Sequence, residues 1–331
     1  MTNMMQAIAV TDIHGNIRIY ELLLRVAATW KATSLFIAGD LAPSAVLESS
    51  PTETIDGTAR QRDFFQHDFI PLFDAFLVNH RHTDVYVIMG NDDRRANEDL
   101  LLAFDQRLPN FHLINNRLVE LRETKQMKRF FPDDVSMLYV CGYPYVTPGA
   151  GLLMDWVKYD NGLQLRPAGM DPCADVFENG VHSVPPNGDR PRTTIGDDLA
   201  RFGAFLKWGG TASPDRSGEK IYDPRRTIHL FHCPPYGTQL DLAAPLGTVD
   251  RLRRNEHVGS SEIRRYVERT QPYLVLCGHC HESAVLGSYK DQLGGTRCVN
   301  PGSQAHLNVL SLVQFDVEDP TKMTQLYVNA D

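Results

Sequence analysis

An α/β layered fold, with part of its sheet mixed or antiparallel, is the class the sequence predicts. Three observations predict it. Short apolar runs, each closed by glycine or a polar residue, read as strands buried on both faces. Stretches with helical spacing alternate with them, which is the signature of layered α/β packing. Toward the C-terminus further runs follow one another with few helices between, so the strands there must pair partly antiparallel.

Taken in order, Ala7–Val10 runs into Asp12, and Ile17–Lys31 puts Ile19, Leu22, Leu23, Val26 and Ala27 on one helical stripe. Leu35–Ala38 runs into Gly39-Asp40, and Phe64–Asn79 repeats the helical stripe with Phe65, Phe69, Leu72, Phe73 and Phe76. Val85–Met89 ends at Gly90-Asn91 and is followed by a helix over Asn97–Leu108. Ile228–Phe231 ends at His232, a helix over Ser260–Thr270 opens on a Ser260 or Ser261 cap, and Leu274–Cys277 ends at Gly278-His279. Met137–Gly142, Arg297–Asn300, Leu310–Val317 and Met323–Val328 complete the strands. We read residues 1–331 as a single domain with two insertions, 41–62 and 144–226. Unstructured loops beyond about 12–15 residues are unusual in compact domains. The second insertion, with a helical patch at Ile195–Trp208, reads as a cap or lid over one end of the sheet, the alternative being a surface excursion.

Composition narrows the function classes. The chain is 331 residues long, 42% hydrophobic and 22% charged, with 33 Lys plus Arg against 41 Asp plus Glu and a formal net charge of −8. That balance gives no electrostatic footprint for a long nucleic acid. The longest apolar runs fall far short of the roughly 20 residues of a membrane helix. Met1–Gln6 shows no basic-then-apolar leader, and 6 cysteines in a chain of this size do not make a disulfide framework, so the expected location is cytoplasmic.

The chemistry stands where the strands end. In order come Asp12-x-His14, Gly39-Asp40, Gly90-Asn91, His232 and Gly278-His279-x-His281, seven oxygen or nitrogen ligands from five strand ends. In α/β sheets ligands bind beyond the carboxyl ends of the strands, so five strands of one sheet could aim all seven at one pocket. One ion could not use them all, whereas two ions about 3.5–4 Å apart with a bridging carboxylate could. On an extended strand end the i and i+2 members of Asp12-x-His14, and of His279-x-His281, share a face. Imidazole and carboxylate donors suit Mn, Fe or Zn.

This series, Asp-x-His, Gly-Asp, Gly-Asn-x-Asp, His and Gly-His-x-His, resembles the calcineurin-like metallophosphoesterase superfamily. His232-Cys-Pro-Pro-Tyr-Gly-Thr238, Gly278-His-Cys-His-Glu282 and Asn300-Pro-Gly-Ser303 are most similar to its small prokaryotic-type members. The resemblance implies a two-sheet mixed β-sandwich flanked by helices, with a dinuclear metal site at the C-terminal ends of strands. It implies Asp12, His14 and His281 on the first metal, Asn91, His232 and His279 on the second, and Asp40 bridging. It also implies hydrolysis of small-molecule phosphomono- or phosphodiesters by a hydroxide bridging the ions, a nucleophile at neutral pH. Asn91 would orient a phosphate oxygen as well as ligate.

The sequence departs from the family at Gly90-Asn-Asp92-Asp93, where members that cleave diesters carry Gly-Asn-His. Asp92 is the candidate proton donor in that place. Two cations beside a carboxyl lower its pKa, which favours a role for Asp92 outside the proton transfer and substrates with good leaving groups. After Asp40 come Leu41, Ala42 and Pro43, not the protein phosphatases' Asp-Arg-Gly pattern, and the tyrosine ligand of purple acid phosphatases is missing. Tyr236 is a candidate substrate contact. Arg94 and Arg95 could pair with phosphate or form a solvated face. Cys277 and Cys280 read as core thiols, His257 as exposed, and His229 as pointing away from His232. The alternative from another class is a catalytically weak or inactive scaffold or binding protein on the same fold, for which the missing acid histidine speaks. The oligomeric state cannot be read from the sequence.

Overall fold

The computed structural model describes residues 6–44, 57–121, 138–148, 155–161, 176–178, 181–183, 193–208, 222–243 and 256–330. Strand β1 (Gln6–Val10) leads through α1 (Ile17–Trp30) to β2 (Ser34–Ala38). Helices α2 (Gly57–Phe64) and α3 (Ile70–Asn79) precede β3 (Asp84–Ile88), and α4 (Glu98–Arg107) precedes β4 (Phe111–Leu113), β5 (Arg117–Glu120) and β6 (Tyr139–Tyr143). A small hairpin, β7 (Val176–Glu178) and β8 (Val181–Ser183), comes before α5 (Ile195–Ala200), α6 (Phe202–Phe205) and β9 (Lys207–Trp208). Then follow β10 (Thr227–Phe231), β11 (Leu242–Ala243), β12 (Glu256–His257), α7 (Ser261–Thr270), β13 (Leu274–Cys277), α8 (Ser283–Leu286), β14 (Lys290–Leu293), β15 (Thr296–Val299), β16 (Val309–Asp316) and β17 (Met323–Asn329).

Two mixed sheets result. One runs β17-β16-β1-β2-β3-β4 and the other β14-β15-β13-β10-β6-β5-β9. β1 to β4 are mutually parallel, whereas β16 runs antiparallel to β1 and β17 antiparallel to β16. In the second sheet β6, β10, β13 and β15 are parallel and β14 and β5 run against them. The five strands that carry the predicted ligands are therefore split, three in one sheet and two in the other, instead of sharing one sheet.

Alternation explains how the central strands are buried on both faces. Ala7, Ala9, Phe36, Tyr86, Ile88, Ile228, Leu230, Leu274 and Leu276 form a core between the sheets. Their neighbours Ile8, Val10, Leu35, Ile37, Val85 and Val87 turn outward under α1, α3 and α4. α1 is capped by Asn16, whose side chain accepts from the Ile19 N–H, and it buries Ile19, Tyr20, Leu22, Leu23, Leu24 and Ala27. α7 is capped by Ser260.

Between α2 and α3 the chain makes one π turn at Phe65–Phe69, just ahead of Pro71. Proline in a helix removes a donor and clashes with the carbonyl one turn back, and the wider turn relieves this. Phe65, Phe69 and Phe73 stay fully buried. The helix thus begins at Gly57, inside the stretch read as the first insertion; residues 45–56 lie outside the described residues. So does most of 144–226, whose helical patch is two short helices, α5 and α6, followed by β9. Among the described residues no helix is long and apolar enough to cross a membrane.

Candidate metal centre

Beyond β1, β2, β3, β10 and β13 the chain leaves the sheets in loops that hydrogen-bond to one another. The Asp12 N–H donates to Gly39 O at 3.0 Å, the His14 N–H to Asp40 O at 3.0 Å, and the Gly278 N–H to His232 O at 3.0 Å. Asp12, His14, Asp40 and His279 all have left-handed backbones, with φ of 53°, 48°, 50° and 67°. For a residue with a Cβ this conformation costs about 1–2 kcal/mol, and such strain gathers at functional sites. The shared-face expectation holds for Asp12 and His14, which end on one side, and fails for His279 and His281. β1 ends at Val10 and β13 at Cys277, so both pairs stand on turns, and the second turn sends His279 and His281 to opposite sides.

His281 goes to one side. Asp12, His14, Asp40 and His281 offer ligand atoms that all lie within 4.8 Å of one another. His14 Nε2 and His281 Nε2 face each other at 3.0 Å, with Asp12 Oδ1 3.3 Å from His281 Nε2 and Asp40 Oδ2 3.8 Å from His14 Nε2. His279 goes to the other side. Its Nδ1 lies 2.7 Å from Asn91 Oδ1, and the same oxygen is 3.0 Å from His232 Nε2. Asp40 Oδ2 reaches His232 Nε2 at 3.4 Å, so Asp40 stands between the two groups. All seven predicted ligands are brought together.

Electrostatics say the same. Burial raises Asp12 and Asp40, yet His281 beside Asp12 and His232 beside Asp40 outweigh it and hold both carboxyls below the ordinary range. Burial lowers the imidazoles in turn, but Asp40 lifts His232 and Asp12 lifts His281, each to about 9. Burial and the neighbouring His232 push His279 down to about 4. Without a cation, protons on His232 and His281 balance the carboxylates, and a divalent ion would replace them. The His232 Nδ1–H donates to Ala38 O at 2.7 Å, which leaves Nε2 as its ligating atom. In place of the proton that His281 and His14 can share across 3.0 Å, a cation beside the two carboxylates would take both nitrogens as ligands.

Several supports, some of them in the quoted motifs, were given no role by the sequence. Asp93 is fully buried and accepts from the N–H groups of Leu41 (3.0 Å), Ala42 (2.8 Å) and Gly90 (2.9 Å), pinning the Asp40 loop to the Asn91 loop. Burial and the Asp40 charge push its carboxyl up to about 7 against these three donors. Asn300 Nδ2 donates to Leu240 O and Gly278 O, both at 3.1 Å, and Ser303 Oγ donates to Asp12 O at 2.6 Å. Trp156 Nε1 donates to Asp93 O at 3.1 Å, so the start of the second insertion is fastened to the site. Close approach requires Gly90, where a Cβ would fall on Asp40 Oδ1 and 2.6 Å from His232 Cε1.

Asp92 lies against the first group. Its N–H donates to Asp40 Oδ1 at 2.8 Å, and its Oδ2 is 3.5 Å from His14 Nδ1. Burial and the Asp40 charge raise its pKa, a direction set by the protein groups alone and opposite to that of bound cations. Tyr236 is 46% exposed, with its ring 5.7 Å from that of His257. Arg94 is buried, so it forms no solvated face, and the exposed Arg95 lies over the Trp156 ring at 5.1 Å. Cys277 and Cys280 are buried free thiols, as expected. His229 is buried on the helix side of β10, away from the cluster, where its Nε2 meets Tyr222 Oη at 2.7 Å and Tyr266 Oη at 3.1 Å.

A calcineurin-like phosphoesterase family model matches residues 5–283, which spans all seven candidate ligands. The chain belongs to the calcineurin-like phosphoesterase family. No curated protein matches its sequence. Among solved structures it is similar to the TT1561 protein of Thermus thermophilus, with 14% identity and a TM-score of 0.54 over 99% of this chain and 100% of that one. Lower likeness is found to an archaeal phosphodiesterase (9%, TM-score 0.38, covering 98% and 100%) and to a dimetal phosphatase from Danio rerio (10%, 0.39, covering 99% and 99%). At 14% identity the first likeness is one of fold. Family membership makes the chain a metallophosphoesterase-type protein, a hydrolase class that works with divalent metal.

Proposed function

We propose that this protein hydrolyses phosphomono- or phosphodiesters of small molecules with two divalent transition-metal ions, Mn, Fe or Zn. Asp12, His14 and His281 would hold one, Asn91, His232 and His279 the other, and Asp40 both. The observation that carries this reading is the convergence of seven O and N donors from loops of two sheets, with His14 and His281 opposed at 3.0 Å and Asn91 Oδ1 shared by His232 and His279. When bound, such ions lower the pKa of water between them and neutralise phosphate oxygens. The chain's own part is to fix the donors on turns that are tied together and to present the Asn91 amide to a phosphate oxygen. Asp92 is read as the partner that orients His14 through Nδ1, a buried nitrogen with no hydrogen bond among the described residues, and not as an acid. Tyr236, on the exposed loop after His232, is the proposed contact to the organic part of the substrate.

The test is hydrolysis of p-nitrophenyl phosphate and bis-p-nitrophenyl phosphate by Mn²⁺-loaded protein with a chelated control. Chelator-sensitive turnover supports the reading. Bound metal with no turnover of either ester, or of a wider panel, would replace it with a metal-holding scaffold. His279→Ala and Asp40→Asn should each empty at least one metal position and abolish hydrolysis.

A further inference from the structure

The loop after β10 builds a second polar unit that the metal centre does not use. Asp241 is fully buried and its carboxylate accepts from the N–H groups of Gly237 (2.9 Å), Thr238 (2.9 Å) and Gly259 (3.1 Å). Its Oδ1 also lies 2.8 Å from Nδ1 of His257, across the β11–β12 pairing of Leu242 with His257. The imidazole is not buried with it: 38% of the His257 side chain is exposed, and Nε2 has no partner among the described residues. A carboxylate on Nδ1 fixes the ring and sends the N–H or lone pair of Nε2 outward.

The loop that carries this pair is tied to the loop of the metal centre. Asn300 Nδ2 donates to Leu240 O, the residue before Asp241, and also to Gly278 O and Cys280 O on either side of His279. Tyr236, whose ring abuts His257, comes four residues after His232, a reach of at most about 14 Å along the chain. Tyr236 and His257 thus lie against each other on loops tied by hydrogen bonds to the turn that carries His279 and continuing from the ligand His232.

We propose that His257, positioned by Asp241, is the proton donor to the leaving group, the role left vacant by Asp92; this rests on the phosphoesterase reading above. A water-derived oxygen attacks phosphorus, the bond from phosphorus to the ester oxygen breaks, and its electron pair stays on that oxygen. The imidazolium Nε2–H passes its proton to the oxygen, the alcohol departs neutral, and the imidazole regains a proton from solvent.

The experiment compares wild type, His257→Ala and His257→Gln on a series of phosphate esters from p-nitrophenyl through phenyl to alkyl. Glutamine keeps a donor toward Asp241, so it separates proton transfer from loop structure. A positioned acid contributes about 10²–10⁴-fold, and only where the leaving oxygen needs the proton. The expected result is a loss in kcat that is small for p-nitrophenyl and rises to the order of 100-fold for alkyl esters in both variants. Metal content should stay equal, with partial rescue of His257→Ala by added imidazole. An equal loss across the series, or none, overturns the assignment while leaving the phosphoesterase reading intact. A wild type inactive on every ester overturns both.

Discussion

Single residues hold this site by backbone geometry as much as by chemistry. Gly90 has no strained φ, so replacing it tests close approach alone. In Gly90→Ala the added carbon meets Asp40 Oδ1, Asp40 N at 2.5 Å and His232 Cε1 at 2.6 Å, so a backbone atom and two candidate ligands must shift. Overpacking of this kind costs about 1–3 kcal/mol. The expected outcome is a lower melting temperature together with weaker metal binding by calorimetry; normal binding would show that the Asp40 loop yields. Asp92→Asn asks a different question. If Asp92 orients His14, the variant loses metal affinity by about 10–100-fold, as partners of metal-bound histidines do. Its dependence on leaving group should stay that of wild type, and a selective loss on poor leaving groups would return the proton to Asp92. The ligands themselves were legible because each follows an apolar strand. Asp93 and Asn300 stood in the quoted motifs without a role, and the Asp241–His257 pair was not legible at all, because bonds from a side chain to backbone groups leave no spacing to read.

At the scale of elements, what the sequence revealed depended on burial. β1, β2, β3, β10 and β13 are fully or almost fully buried, and their apolar runs stood out. β14, exposed along most of its length, and β4, only three residues long, had no such contrast. β10 shows how one strand serves two environments. Ile228 and Leu230 face the other sheet, whereas His229 turns to Phe202, Tyr222 and Tyr266. Burial pushes His229 down to about 3 from 6.5, so the folded protein keeps it neutral where the unfolded chain takes a proton. The unfolded state therefore binds more protons between those values, and stability falls as pH drops from about 6.5 toward 3. One proton corresponds to about 1.4 kcal/mol per pH unit. Urea unfolding at about pH 7, 5.5 and 4.5, on either side of the free imidazole value, should show a slope shallower by about that amount in His229→Phe. An unchanged slope would mean that His229 is protonated in place.

For the whole molecule, the residues alone predicted layered strands and helices with a mixed sheet, and the resemblance supplied the division into two. Nothing in a strand's own sequence says which sheet it joins, since β3 and β10 are equally apolar and both parallel. The division matters because the candidate ligands straddle it. Asp12, His14, Asp40 and Asn91 follow strands of one sheet, and His232, His279 and His281 follow strands of the other. Ions held among them would bridge the sheets and exist only in the folded state, so they add stability by mass action, about 4 kcal/mol at a thousandfold excess over Kd. For a chain of this size that is on the order of 5–10 °C in melting temperature. Metal-loaded protein should therefore melt lower by that much after chelation. Asp40→Asn, which removes the group shared by both positions, should melt low from the start and respond much less to chelator. Equal melting of the loaded and chelated wild type would mean that the seven side chains, though gathered, do not hold metal tightly enough to join the two sheets.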